Sequence, residues 1–188
     1  MENKVTFGLQ DVHFATFSEN EGVITYDTPK RIPGAVEISL EPKGDTIEHF
    51  ADNHVYYSAP NNMGYEGTLS ISNIPQDFLV SVLGEELDET DSVLTEKANA
   101  QTKPFSLMFQ FEGDQKAVRH VLYNCTANRP TVASSTKSSS AEPNTNELTF
   151  VASPRPNDLL VRRKTTAITP ANVYDAWYSA VYEAPVTP

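Results

Sequence analysis

Apolar residues alternate with polar residues along several short stretches of the chain. In the clearest stretch, Phe105, Leu107, Phe109 and Phe111 occupy every second position. Successive side chains of a β-strand point to opposite faces, so this period of two predicts a strand with one buried face. Four other stretches share the pattern: Val36, Ile38 and Leu40; Leu69 and Ile71; Val121 and Tyr123; and Leu148, Phe150 and Ala152. The chain is therefore predicted to be mainly β, with about seven to nine strands.

Turn-forming residues separate these stretches. Pro33-Gly34 precedes one of them, and Glu112-Gly113-Asp114 lies between two others. Gly tolerates positive φ and Pro fixes φ, which is why both residues are common in turns. We predict an antiparallel hairpin in which residues 105–111 pair with residues 117–125.

Residues 73–84 follow a helical pattern. Asn73 and Gln76 form a predicted capping pair, Pro75 suits a first helical turn, and Gly84 suits the end of a helix. The apolar residues of this segment share one helical face: Phe78, Leu79, Val82 and Leu83. The segment is predicted to be a short amphipathic helix that lies on a sheet.

A second helix is predicted near the end of the sequence, over residues 170–182. Thr169 is its predicted N-cap. Apolar residues follow at helical spacing: Val173, Ala176, Trp177, Ala180 and Val181. The helix is expected to pack against the rest of the domain through this face.

Three long segments are predicted to be loops. They are residues 43–62, with a short extended piece near Val55; residues 85–103, which are acidic at first; and residues 131–145, rich in Ser, Thr, Asn and Pro. Loops longer than about 12 to 15 residues are uncommon in compact domains and often functional. We expect these loops to reach neighbouring molecules.

Composition narrows the classes of function. The 188 residues, expected to form a single domain over residues 1–188, include 14 Lys and Arg against 25 Asp and Glu, a net charge of -11. This balance argues against a protein that tracks a phosphate backbone. The single cysteine, Cys125, is expected to be a buried, inert thiol. We expect neither a signal peptide nor a membrane span, since no long apolar run occurs.

His49, Asp52 and His54 are the nearest approach to a metal site, with His120 or His13 as a fourth ligand. The spacing is weak support, because residues 49 and 54 of one strand would face opposite sides. No CxxC, HExxH or EF-hand pattern accompanies them. We expect hydrogen-bonding loop histidines and no bound metal.

The sequence contains no recognisable catalytic motif. Cys125 lies in an apolar strand, and the chain has no GxSxG, GxGxxG or GxxxxGK motif, so we expect no catalytic residues, no cofactor and no enzyme activity. Two groups of tyrosines stand out: Tyr56, Tyr57 and Tyr65, and a stripe of Tyr174, Tyr178 and Tyr182. Aromatic residues of this kind are expected in the core or in subunit interfaces, more than in a ligand platform.

Five short motifs occur in a fixed order: residues 5–13 (VTFGLQDVH), 32–36 (IPGAV), 50–53 (FADN), 64–67 (GYEG) and 123–125 (YNC), with Leu83-Gly84 between the last two. In this order they resemble the major tail proteins of long, non-contractile phage tails, the phi13-type family. The resemblance covers most of the chain, to about residue 165.

The resemblance implies a β-sandwich of two packed antiparallel sheets with a flanking helix. It implies hexameric rings that stack into a tail tube, through which the genome leaves without specific DNA binding. Implied partners are other copies, a tape-measure protein, and distal-tail and tail-terminator proteins, in a virion assembled in the host cytoplasm. Some relatives carry a further immunoglobulin-like domain, which we do not expect here.

Alternatives remain open. A tube protein of a contractile tail or of a phage-like injection device fits the same pattern, and a receptor- or glycan-binding tail module fits the tyrosines less well. The acidic run over residues 85–91 is expected to face water, either on the outside of a tube or in its lumen. The sequence does not identify the residues that face the lumen.

Overall fold

The computed structural model of the chain describes residues 2–132, 134, 136 and 144–185, and the fold is mainly β, as predicted. The strands of this part of the chain are β1 (Thr6–Asn20), β2 (Val23–Tyr26), β3 (Lys30–Arg31), β4 (Ala35–Pro42), β5 (Thr46–Ala51), β6 (His54–Pro60), β7 (Tyr65–Ile71), β8 (Glu86–Leu87), β9 (Leu94–Thr95), β10 (Phe105–Gly113), β11 (Val118–Ala127), β12 (Asn146–Ala152) and β13 (Arg162–Lys164). The helices are α1 (Gln76–Ser81) and α2 (Ala171–Asp175), followed by one 3₁₀ turn (Ala176–Tyr178).

The large antiparallel sheet has two halves that enclose one core. Its strand order is β2-β1-β10-β11-β12-β7-β4, with β3 beside β1 and β13 beside β11. β11 pairs with β12 only through residues 125–127, so the halves are joined along a short seam. The main core draws on both halves and on α1, and its largest buried residues include Phe14, Leu69, Ile71, Phe78, Phe105, Leu107, Phe109, Leu122 and Phe150. The resemblance implied two separate packed sheets. The two layers are instead the two halves of one sheet, which is folded around its core.

The predicted hairpin of β10 and β11 is confirmed. The two strands are antiparallel, with Phe111 opposite Val118 and Phe105 opposite Cys125. Phe105 and Phe109 are fully buried in the main core, but Met108 on the opposite face is fully buried too. The alternation of apolar residues predicted one buried face of β10. In the structure both faces of this strand are buried.

The C-terminal segment covers the second face of β10 and β11. Trp177 and Val181 pack on Met108, Val121 and Tyr123 in a second buried cluster. The Tyr123 hydroxyl donates a hydrogen bond of 2.5 Å to the carbonyl of Tyr182. Arg155, itself buried, forms ion pairs with Asp158 and Glu183 and so anchors the end of the segment beside this cluster: the two carboxylates flank one guanidinium.

The prediction of a helix over residues 170–182 was too long. Helical structure ends at Tyr178, because the chain then extends so that Val181 and Tyr182 reach Tyr123. Thr169 is not the N-cap; Pro170 holds that position without a side-chain cap. The tyrosines do not form a stripe: Tyr174 lies under Arg119, Tyr178 stacks on His13, and Tyr182 stacks on Trp177.

The predicted helix over residues 73–84 exists as the six-residue α1. Its N-cap is Pro75 and no side chain caps it, so the predicted pair of Asn73 and Gln76 was wrong. The predicted apolar face is correct, since Phe78 contacts the rings of Phe14 and Phe105 at centroid distances of 5.0 and 5.3 Å. α1 therefore closes one side of the main core.

Candidate assembly surfaces

The predicted loop over residues 43–62 is largely a β-hairpin, formed by β5 and β6, that we call the arm (residues 46–60). Its turn is Asp52-Asn53, and both residues have positive φ, 51° and 62°. Two-residue turns with positive φ at both positions match the twist of a hairpin and favour Asn and Asp. The Asp-Asn pair was the sequence signal for this hairpin, and the loop prediction overlooked it.

The arm continues the pairing of β4 and β7. Lys43 N–H donates to the carbonyl of Gly64, and Met63 N–H donates to the carbonyl of Lys43, both at 2.9 Å. Gly64 has φ of +100°, and a Cβ there would lie 1.9 Å from the carbonyl oxygen of Ala152. The backbone thus bends at the root of the arm where only glycine fits.

Both faces of the arm carry exposed apolar side chains. Phe50 pairs with Val55 on one face, and Ile47 on the other face pairs with Ala59. Tyr56 is the extra residue at a bulge, because His49 and Phe50 pair with Tyr57 and Val55. The large apolar side chains of the arm are 44 to 69% exposed: Ile47, Phe50, Val55, Tyr56 and Tyr57.

The arm has no partner within the described chain. Its two strands contact each other extensively and other strands and helices only sparsely. A two-stranded hairpin alone is marginally stable in water, and a contiguous exposed apolar patch usually marks an interaction site. The arm is therefore a candidate interaction surface.

The outer face of β4, β7 and β12 has the opposite character. Strand register places four glutamates on it, alternating with the core residues, and no lysine or arginine belongs to these strands. This acidic face consists of Glu37, Glu41, Glu66 and Glu147 together with the hydroxyl residues Ser39, Thr68, Ser70 and Thr149. The face is polar and mainly negative, although Lys43, directly after β4, forms an ion pair with Glu66 at 2.8 Å. It also bears a shallow cavity of about 320 Å³.

A groove of about 440 Å³ lies beside α1. Its apolar lining includes Ile74, Leu79 and Leu83, and Lys97 and Arg129 stand at its rim. Both cations form exposed ion pairs, Lys97 with Glu86 at 2.6 Å and Arg129 with Glu96 at 2.6 Å. The groove combines residues from α1, from the segment after β7, from residues 96–102 and from the chain after β11, so no local pattern in the sequence predicted it.

The acidic run over residues 85–91 forms part of a small turn between β8 and β9. Asp88 Oδ1 accepts hydrogen bonds from the N–H groups of Thr90 and Asp91, which lowers the pKa of this carboxyl group. Four of the five carboxylates are exposed, and Glu85 is half-buried at the groove. Most of the run thus faces water in the single chain, and its place in an assembled tube stays a prediction. The predicted loop over residues 131–145 lies largely outside the described residues.

The structure does not gather the predicted metal ligands. Among the described residues, no group of three His, Cys, Asp or Glu side chains is arranged to hold a metal ion. His49 and His54 lie on different strands of the arm, and Asp52 forms part of the turn between them. The expectation that residues 49 and 54 face opposite sides of a single strand therefore did not apply. His54 Nδ1 lies 3.2 Å from the carbonyl oxygen of Asp52. His13, the other proposed ligand, stacks on Tyr178.

His120 and Cys125 are buried in the body of the fold. The His120 ring stacks on Phe109 at 5.0 Å, and burial, together with Arg162 and Lys164, lowers its pKa to about 4. Burial raises the pKa of the Cys125 thiol, so this group stays protonated and unreactive. Within the described residues, no helix is both long and apolar enough to span a membrane.

Comparison with solved structures shows that this fold occurs in other proteins. No protein-family model matches the chain, and no curated protein matches it. The fold is similar to that of a chain in the cryo-EM structure of the anti-feeding prophage cap, described as the AFP tube terminating cap. The chains are 16% identical, with a TM-score of 0.52 over 89% of this chain and 95% of the other. This similarity shows a shared fold, and membership of the phi13-type family stays a prediction.

Proposed function

We propose that the protein is a structural subunit of a phage-type tail tube and catalyses no reaction. The exposed apolar arm carries the proposal, because a hairpin that no other described element covers is typical of a surface that binds another molecule. The order of motifs and the fold shared with a chain of a tube-terminating cap support the same role. Subunits form hexameric rings, and the arms join one ring to the next.

The acidic face is the proposed wall of the conduit. Its four glutamates and its hydroxyl residues are held on paired strands that contain no lysine or arginine. Lys43, next to β4, pairs with Glu66 and offsets one of the four charges, so the face keeps a net negative charge. Such a surface repels phosphates, so DNA passes along it without binding. The acidic run of the turn between β8 and β9 lies outside this wall and keeps the tube soluble.

The partners follow from the role. Tubes are made of copies of this chain, with a tape-measure protein inside during assembly and distal-tail and tail-terminator proteins at the ends. The particle is a virion or a related injection device, assembled in the host cytoplasm.

A tube-terminating cap is the second candidate, favoured by the description of the structural neighbour. A tube subunit needs two complementary surfaces and polymerises, whereas a cap stops after one ring. Negative-stain electron microscopy of the purified protein separates the two. Open tubes of variable length support the tube subunit, single rings support the cap, and monodisperse monomers at high protein concentration contradict both.

A further inference from the structure

The arm and the groove beside α1 lie at opposite ends of the same strands. The arm leaves the sheet where Pro42 pairs with Tyr65, whereas the groove begins beyond Ile71, at Asn73 and Ile74. Tyr65 and Ile71 are about 20 Å apart along β7. No arm residue lines the groove within the described chain.

We propose that the groove beside α1 is the acceptor for the arm of a second copy of this chain. The proposal rests on the proposed function and specifies which surface receives the arm. Because donor and acceptor lie at opposite ends of β4, β7 and β12, a copy stacked end to end presents its arm to the groove of the next. Contacts of this head-to-tail kind repeat without closing, as a growing tube requires.

The two surfaces match chemically. The arm offers aromatic and aliphatic side chains, among them Phe50 and Tyr57, to a groove lined by Ile74, Leu79 and Leu83. The arm carries two acidic side chains, Glu48 and Asp52, and no lysine or arginine, and Asp45 directly precedes it. The rim of the groove supplies two cations, whose present ion pairs are exposed and contribute little. The lining also contains Glu85 and Glu96, so the groove is not basic as a whole. Because both ion pairs are exposed and weak, Lys97 and Arg129 can exchange their present partners for Glu48 or Asp52 of an incoming arm.

Size is consistent with this fit. β6 has seven residues and spans about 23 Å. The arm is therefore long enough to extend past the end of the large sheet towards a neighbouring copy. The groove, at about 440 Å³, lies in the size range of pockets that enclose bulky apolar groups. Because both faces of the arm are apolar, one face is available for the groove while the other contacts an adjacent copy.

Site-directed crosslinking tests the contact. Ser58→Cys on the arm and Ala98→Cys in the groove are both small, exposed substitutions, and buried Cys125 does not compete. The protein with both changes is assembled, treated with a short bis-maleimide and run on a denaturing gel. We expect a ladder of multimers. Each single variant, and Ser58→Cys combined with Thr149→Cys on the acidic face, should give at most dimers.

The outcomes separate the two levels of the proposal. Tubes that give no ladder with Ser58→Cys and Ala98→Cys, or the same ladder with the Thr149→Cys control, overturn the acceptor groove and leave the tube function standing. Absence of any rings or tubes overturns both. As a second measurement, Ala98→Trp should fill the groove and stop elongation while the far-ultraviolet circular dichroism and the urea midpoint stay unchanged. Normal elongation of this variant contradicts the proposal.

Discussion

The body of the fold and the arm use similar residues in opposite ways. In the body, Phe109 is fully buried between the sheet halves, whereas in the arm Phe50 is 62% exposed. Both lie in antiparallel strands with paired backbones. The body pairs its strands and buries its large apolar side chains within one chain, whereas the arm pairs its strands but leaves its large apolar side chains exposed. The comparison distinguishes a region that stabilises the fold from a region that we propose for assembly.

The largest expected effect is a matched pair of substitutions. Phe109→Ala should lower the free energy of unfolding by roughly 3 to 5 kcal/mol, because it leaves a cavity in the core. Phe50→Ala should lower it by less than about 0.5 kcal/mol, because its side chain is mostly in water already. Urea unfolding of unassembled protein measures both. Similar losses of unfolding free energy for the two variants would show that the arm contributes to stability as the body does.

Low pH should reduce the free energy of unfolding through protonation of His120. Its pKa of about 4 in the folded protein lies below the ordinary value of 6.5, so the folded state disfavours the protonated ring. The stability from neutral His120 is therefore present above pH 6.5 and is lost as the pH falls to 4, by up to about 3 kcal/mol.

Unfolding experiments at pH 7 and pH 4.5 check this dependence. His120→Gln should remove most of the loss, whereas His54→Gln, in the exposed arm, should keep it. Equal pH dependence in wild type and His120→Gln would show that other groups cause the acid sensitivity.

The smallest expected effect on stability is at the acidic face. Replacing its four glutamates by Gln should change the free energy of unfolding by less than about 0.5 kcal/mol, since these side chains are exposed. Tubes of this variant should retain DNA several-fold more at low salt, because less charge repels the phosphates. Replacing Glu85, Glu86, Asp88 and Glu89 by amides is the control and should leave DNA retention unchanged. DNA retention that rises in the control alone would place the lumen at the turn between β8 and β9.

The sequence predicted the parts of the fold that local patterns determine. The alternation at residues 105–111, the hairpin of β10 and β11, and the buried face of α1 were all correct. β1 was missed because bulges shift its register between Thr6 and Leu9 and between Gln10 and His13, which breaks the period of two. The second buried face of β10 depends on Trp177, far along the chain, so no nearby residue indicated it.

The candidate surfaces were harder to predict. The arm was assigned to a loop because its bulge at Tyr56 breaks the alternation, although Asp52-Asn53 marked a turn. The acidic face became visible only when the register placed Glu37, Glu41 and Glu147 side by side with Glu66. In each case tertiary pairing, and not composition, assembles the surface.

Hydrogen-deuterium exchange can show whether other copies of the chain cover the arm. Free subunits and assembled particles are separated by ultracentrifugation, and exchange is followed in peptides spanning residues 46–60 and residues 105–111. We expect fast exchange of the arm in free subunits and about tenfold slower exchange after assembly. The β10 peptide should be slow in both states. Equally fast exchange of the arm in free and assembled protein would contradict the account.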